Sequence, residues 1–208
     1  MITIVDYKAG NLTSVKRALD HLGIKNQISK DPDTIRKAEQ VIFPGVGAAG
    51  AAMNVLKERN LDSALKESFQ KGTPILGICI GCQIILTHSE EDDTSCLDLI
   101  PGETVRFQLS DPALKIPHMG WNAVEQVREH PLLEGIESGI EFYFVHSYYC
   151  DPSDPDLTAG RTDYADIAFS SAVGRGNLFA TQFHPERSGR FGLRLYENFA
   201  RWDGGGTC

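Results

Sequence analysis

The stretch Gly77-Ile78-Cys79-Ile80-Gly81 sets a thiol between two glycines, after an apolar run over residues 73–78 and before a helical pattern that opens at Gln83. A sharp strand-to-helix turn forces its central residue into strained dihedrals and lifts that side chain above the sheet; larger flanking residues would collide with neighbouring backbone. The turn also lies at a helix N-terminus, where free N–H groups and the dipole favour a thiolate. Cys79 is thus a candidate nucleophile, against the plainer reading of a buried cysteine in a Gly-rich turn. A nucleophilic thiol needs a base, and the base an orienter. Thr181-Gln182-Phe183-His184-Pro185-Glu186 supplies both. In an extended segment residues two apart share a side, so His184 and Glu186 project together, and Pro185 ends the strand near a rim. Taken alone, a His-Pro-Glu is more often a surface turn. Of the other histidines, His21, His88 and His130 read as surface or helix-end residues.

Two further patterns compete. Gly45-Val46-Gly47-Ala48-Ala49-Gly50 is a literal G-x-G-x-x-G after a strand and before a helix. It sits on the third predicted strand, follows Pro44 directly, and has no acidic residue ending the next strand, so nucleotide binding is disfavoured. The same free amides serve equally to hold an oxyanion. Cys79-Ile80-Gly81-Cys82 is formally a redox C-x-x-C, yet it lacks the setting of a small oxidoreductase domain. Zinc held by Cys79, Cys82, Cys96 and His88 is weaker still, for want of a second close ligand pair.

The elements that must position these groups follow from periodicity. Residues 2–5 are apolar and β-branched, and Leu12, Val15, Ala18, Leu19 and Leu22 then recur at helical spacing until Gly23. Residues 40–43 are a strand closed by Pro44-Gly45; Met53, Leu56, Leu61, Leu65 and Phe69 suit one helix or two; residues 73–79 form another strand and 83–86 begin a helix. Such alternation predicts parallel strands covered by helices on both faces. From about Cys96 the segments 103–109, 122–127, 141–149 and 166–183 are strand-like, with turns at Asp111-Pro112 and Gly174-Arg175-Gly176. Phe191, Leu195, Phe199 and Trp202 share one face of a last helix capped near Ser188. The expectation is a single α/β domain over residues 1–208: a flavodoxin-like three-layer sandwich with a mostly parallel central sheet and an antiparallel extension.

With 208 residues the chain buries enough surface to fold without disulfides. Twenty Lys and Arg against 28 Asp and Glu leave a net charge of −8, which repels phosphate backbones and argues against nucleic acid. No apolar run approaches the ~20 residues that span a bilayer, so no membrane role is expected. The first residues lack a basic leader, and the five cysteines (Cys79, Cys82, Cys96, Cys150, Cys208) are odd in number and irregularly spaced. Reduced thiols in the cytoplasm are the simplest reading.

On Cys79 and the His184/Glu186 pair the chain resembles a class I, triad-type glutamine amidotransferase. More narrowly it is similar to the glutaminase subunits of imidazole glycerol phosphate synthase, a family of histidine biosynthesis. The matching segments run nearly end to end: Asp6-Tyr7 with Gly10-Asn11-Leu12, Pro44-Gly45-Val46-Gly47, the elbow with Gln83, Pro117-His118-Met119-Gly120-Trp121-Asn122, Tyr143-Phe144-Val145-His146-Ser147-Tyr148-Tyr149, and Gln182-Phe183-His184-Pro185-Glu186.

The resemblance implies that Cys79 attacks the glutamine amide, that His184 moves the proton to departing ammonia, and that Glu186 orients His184. It implies an oxyanion hole from the N–H of Ile80 and one from Pro44–Gly47, at Val46 or Gly47, on a strand that has to flip in some relatives. Gln83 and Glu91 would hold the substrate ammonium and backbone near Ser147 and Tyr148 its carboxylate, with no cofactor or metal. Ammonia would pass to a (β/α)₈ synthase subunit, the heterodimer partner, which makes imidazole glycerol phosphate and aminoimidazole carboxamide ribonucleotide. Asn11, Trp121, Asn122, Tyr143 and Arg187 would lie on the docking face, although aromatics in strands are more often core. Partner and acceptor nucleotide would raise turnover by ~10²–10³ or more, the value of one oxyanion donor. The alternatives are a glutaminase that feeds another synthase, such as a sugar-modifying paralogue, and a non-catalytic binding module on the same fold. The chain departs from the family at Lys8, where a small residue is usual, at Cys82 in place of Met, which makes the C-x-x-C look accidental, and at Arg187 in place of Lys.

Overall fold

A computed structural model describes residues 1–8, 11–110 and 115–205. Gly10 of the first motif, the Asp111-Pro112 turn and Cys208 lie outside the described residues. The first half runs β1 (Ile2–Val5), α1 (Leu12–His21), β2 (Asn26–Ser29), α2 (Pro32–Arg36), β3 (Gln40–Gly45), α3 (Ala49–Glu58), α4 (Leu61–Gln70), β4 (Ile75–Cys79) and α5 (Ile80–Gln83). Two short strands, β5 (His88–Ser89) and β6 (Thr94–Ser95), lead into β7 (Gly102–Arg106), β8 (His118–Gln126), β9 (Ile140–His146), β10 (Tyr148–Pro152), β11 (Thr158–Tyr164), β12 (Ile167–Arg175), β13 (Leu178–Thr181) and α6 (Gly189–Arg201).

The sheet order is β2-β1-β3-β4-β13-β12-β10-β7-β5-β6, with β11 joining β12 to β8 and β9 pairing β8. The β2-β1-β3-β4-β13 block is parallel. Beyond it β12, β10 and β7 run antiparallel. This is the expected central sheet with an antiparallel extension.

Strands β1, β3, β4 and β13 of this block are buried on both faces, which is why they read as mostly apolar runs, while β2 at the edge is half-exposed. Successive side chains part to opposite faces. Ile2 and Ile4 of β1, Ile42 of β3 and Leu76 and Ile78 of β4 pack under α1 and α6. Val5, Val41, Phe43 and Ile75 pack under α3 and α4, against Leu56, Leu61 and Leu65. The site therefore forms where β3, β4 and β13 end together between two packed layers.

One helix differs from expectation. The segment after Cys79 is helical only over Ile80–Gln83, and residues 84–86 do not continue it. The carbonyls of Ile84, Ile85 and Leu86 are taken by the amides of Leu97, Leu99 and Asp98 at 2.8–2.9 Å. A later loop thus claims the acceptors that the next helical turn needs. At the other end, Trp202 stands just past α6 as its C-cap, and Ser188 caps α6 by position without a side-chain bond.

His130 is not a surface residue. It is buried, stacked 4.2 Å from Phe179, and its Nδ1 accepts from the Leu132 amide. Burial lowers its pKa to about 4, as it does for His118 (about 4) and His146 (about 3). The unfolded chain binds a proton at each near pH 6.5, so it holds more protons than the folded chain below that value. The contribution of these three histidines is expected to be full above about pH 6.5 and to fall as the pH drops towards 4, with a slope approaching three protons per molecule, whereas His184, with its raised pKa, acts in the opposite sense above pH 6.5. Urea unfolding between pH 7 and 5 measures that slope; a flat profile contradicts it.

Candidate active site

Cys79 ends β4 and caps α5, at φ 55° and ψ −107°. A non-glycine residue there carries ~1–3 kcal/mol of strain that the surroundings must hold. Both flanking glycines are required by contact. A Cβ on Gly81 would meet the Phe43 carbonyl oxygen at 1.9 Å, and one on Gly77 would meet Ala180 Cβ at 2.9 Å. The elbow lifts the sulfur to the sheet end and leaves the Ile80 N–H at the open start of α5, where helix amides lack internal partners.

His184 and Glu186 face each other, but not as an extended pair. Residues Pro185–Arg187 form a 3-10 turn closed by Arg187 N–H to the His184 carbonyl at 3.0 Å. Pro185 has no N–H to continue a ladder and its fixed φ suits the first turn position. The turn tucks the Glu186 carboxylate wholly inside, where Oε1 accepts from His184 Nδ1 at 2.7 Å. The same oxygen accepts from Asn11 Nδ2, and Oε2 accepts from the Tyr196 hydroxyl at 3.4 Å. A carboxylate can only accept, so Nδ1 carries the proton and Nε2 is left towards the site.

Nε2 is buried without a full hydrogen-bond partner. Burial alone would lower the imidazole pKa, but the charge and hydrogen bond of Cys79, then those of Glu186, outweigh it and hold it near 10. The ring is therefore charged at neutral pH and faces the sulfur, the pairing that thiol nucleophiles use. The amide of Gln182 approaches the sulfur from another side, Nε2 to Sγ 4.0 Å.

A pocket of about 290 Å³ opens over Cys79, lined by Val46, Gly47, Ile80, Gln83, Glu91, Pro117, His146, Ser147 and Tyr148 among others. Every expected oxyanion and substrate-contacting residue is on its wall. Gln83 Nε2 donates to the Tyr148 carbonyl at 2.8 Å and to Gln182 Oε1 at 3.2 Å, so both its protons are spent on positioning. Glu91 Oε2 accepts from the Ala49 amide at 2.7 Å, and burial raises its pKa. That contact fills the helix start of the G-x-G-x-x-G segment with a carboxylate, where a dinucleotide site would place phosphate.

The candidate docking residues divide. Trp121 is 53% exposed and Met119 61%, side by side on β8, contrary to the usual core placement of strand aromatics. Tyr143 meets Trp121 edge-on at 6.3 Å and lies 5.5 Å under the Arg187 guanidinium. Asn122 and Asn11 are half-buried and already engaged, Asn11 on the Glu186 carboxylate.

Local sequence reasoning missed four groups. Gln182 and Tyr196 approach the sulfur and the acid. The Tyr7 hydroxyl is buried without a partner, its pKa pushed well up by burial and then by the Cys79 charge. A chain of hydrogen bonds also runs from His146 Nδ1 on the Tyr148 carbonyl (2.7 Å), through His146 Nε2 and His118 Nδ1 (2.9 Å), to His118 Nε2 and Asn122 (3.2 Å). The carbonyl only accepts, so each bond in the chain has a fixed direction. Both histidines stand in quoted motif segments, which was the available signal. Among the described residues no group of three or more His, Cys, Asp or Glu side chains gathers as a metal site.

The chain matches the family described as glutamine amidotransferase class-I over residues 3–201. It is similar to the imidazole glycerol phosphate synthase subunit HisH of Desulfovibrio desulfuricans, 52% identical over 204 residues, covering 96% of this chain and 93% of the relative. The subunit of the same description from Nitratidesulfovibrio vulgaris is 52% identical over 210 residues, covering 97% and 96%. A crystal structure of a glutamine amidotransferase, 17% identical, shares the fold at a TM-score of 0.76 over 98% of this chain and 100% of that one. A nearly full-length match at half identity, on a fold with this elbow, places the chain in the class-I glutamine amidotransferase family, in the branch of the imidazole glycerol phosphate synthase HisH subunits.

Proposed function

We propose that residues 1–208 act as one cytoplasmic glutaminase domain that hydrolyses glutamine to glutamate and ammonia at Cys79 and supplies the ammonia for histidine biosynthesis. The sulfur attacks the side-chain amide carbon. The resulting oxyanion takes the N–H of Ile80 and one from Val46 or Gly47. His184, already charged, gives its Nε2 proton to the amide nitrogen as the C–N bond breaks, and ammonia leaves a thioester. His184, now neutral, then takes a proton from water as the water attacks. Collapse of that second intermediate releases glutamate and returns the sulfur. Glu186 holds the ring through Nδ1 throughout. Gln83 and Glu91 receive the substrate ammonium, and backbone at Ser147 and Tyr148 its carboxylate.

The observation that carries this reading is a strained thiol that opens on one pocket, together with a buried imidazole whose Nδ1 is held by a buried carboxylate. A glutamine-like diazoketone tests it: labelling is expected at Cys79 alone, competed by glutamine. Labelling elsewhere, or none, contradicts it.

The exposed strip of Met119 and Trp121, bordered by Tyr143 and Arg187, supports docking of a (β/α)₈ synthase subunit on this face. Aromatic and Arg anchors dominate such interfaces. Trp121→Ala is expected to weaken the complex by ~2 kcal/mol or more, about thirty-fold in Kd. Titration calorimetry against the barrel subunit reads this directly, and an unchanged Kd removes Trp121 from the interface.

A further inference from the structure

The glutaminase steps leave the Tyr7 hydroxyl unused. It is buried and has no hydrogen-bond partner, although a buried O–H without an acceptor destabilises a fold. The ring needs no oxygen to pack: it sits 5.0 Å from the Phe43 ring inside the core, a place phenylalanine would fill equally. What the oxygen touches is Gly45. A Cβ at position 45 would meet Tyr7 Oη at 1.8 Å, closer than any other atom. Gly45 has no left-handed φ to require glycine, so the hydroxyl is what keeps a side chain out. The sheet register agrees. Strand β1 pairs β3 with Ile4 opposite Ile42, which brings Tyr7, three places on, level with Gly45. Gly45 in turn pairs with Cys79 on β4.

Resting on the glutaminase reading, in which the Val46 N–H holds the oxyanion, we propose that Tyr7 is a positioning residue of the oxyanion hole. Its O–H donates to the Gly45 carbonyl when the Val46 N–H turns to the substrate. That carbonyl and that N–H belong to one planar trans peptide and point in opposite directions. Whenever the N–H faces the pocket over Cys79, the carbonyl is driven away from it, to the buried side, where it needs a donor. Tyr7 stands behind the pocket wall rather than on it, and offers a free donor against the same residue. Beyond Gly45 the strand has room to turn. Val46 is 40% exposed, and Gly47, at φ 111°, has no atom within 4 Å of the place of a Cβ. Burial, and then the Cys79 charge, push the Tyr7 pKa well up, so the donor keeps its proton at neutral pH. Because the hydroxyl is unpaired at rest, the new bond stabilises only the state that binds an oxyanion. Such differential binding raises kcat and leaves KM alone. The unpaired oxygen is then a local loss of stability kept for function.

The test is Tyr7→Phe, which keeps the ring and removes the oxygen alone. Glutamate release by the full chain with the barrel subunit is expected to fall about ten-fold in kcat, the scale of one such hydrogen bond, with KM unchanged. The urea midpoint is expected to equal or exceed that of the wild type, because an unpaired buried hydroxyl has gone. A lower midpoint with unchanged kcat is what a purely structural tyrosine gives, and it overturns the proposal. The second probe is the γ-aldehyde of glutamate, which forms a tetrahedral adduct with a thiol and so fills the oxyanion hole. Its Ki is expected to rise about ten-fold in the variant. A wild-type Ki together with a wild-type kcat overturns the proposal, as does a raised KM with kcat intact. A wild type that neither hydrolyses glutamine nor binds the aldehyde sinks the glutaminase reading instead, so the two failures are distinguishable.

Discussion

Cys79→Ala is expected to cut glutamine hydrolysis by about 10⁵-fold or more, the scale seen when a triad nucleophile is removed. The pocket holds no substitute. Cys82 and Cys150 are buried behind it, and Ser147 lies on the wall assigned to the substrate carboxylate. The fold should persist, because alanine keeps the Cβ and meets the same left-handed φ. A second signal separates lost chemistry from lost structure. The sulfur's charge is the leading influence that holds the His184 pKa up, against a burial that lowers it. Removing the sulfur is expected to move the imidazole pKa down, as read by NMR of labelled histidine, while the His118 and His130 resonances stay put. Ammonia-driven synthase turnover by the complex should be retained, since that half-reaction bypasses Cys79. Glutamate release within a hundred-fold of wild type would remove Cys79 from its role.

Much of this arrangement is legible along the chain, and the limits are physical. The elbow is legible because its glycines answer to contacts within a few ångström, Gly81 on the Phe43 carbonyl above all. Strands β1, β3 and β4 are legible because burial on both faces leaves mostly apolar residues. Strand β2, with the sequence Asn-Gln-Ile-Ser, lies at the sheet edge and is half-exposed, so no pattern marks it. The five-residue α2 carries a clear start in Asp31, whose carboxylate accepts from the Thr34 amide with Pro32 next, yet it has too few residues to show a period. His184 and Glu186 were paired on strand alternation, whereas a 3-10 turn does the work; the contact is as expected and its cause is not. Gln182 meets the sulfur from 103 residues along the chain, and no local spacing predicts such a meeting. Trp121 is the reverse case. Its exposure runs against the composition rule for strands, and only the segment it belongs to hinted at a surface role.

His184→Asn isolates the base from the scaffold and is expected to lower kcat by about 10⁴-fold or more. Alanine would strand Glu186, a buried carboxylate left with Asn11 and Tyr196 alone, and an unpaired buried charge endangers folding. Asparagine avoids that. Its Nδ2 falls near the place of the imidazole Nδ1 and can still donate to Glu186 Oε1, so the carboxylate stays paired. What disappears is Nε2, the one ring atom without a full hydrogen-bond partner and the one turned to the thiol. The backbone supports of this turn, Ser188 Oγ to the His184 carbonyl at 2.6 Å and His184 N–H to the Tyr143 carbonyl at 2.9 Å, do not involve the side chain. The variant should therefore unfold in urea close to wild type while losing both turnover and diazoketone labelling of Cys79. KM should move far less than kcat, because the pocket wall of Gln83, Glu91, Ser147 and Tyr148 is untouched. A variant that keeps labelling at the wild-type rate would show that the sulfur is activated without His184, by the helix start and the Gln182 amide.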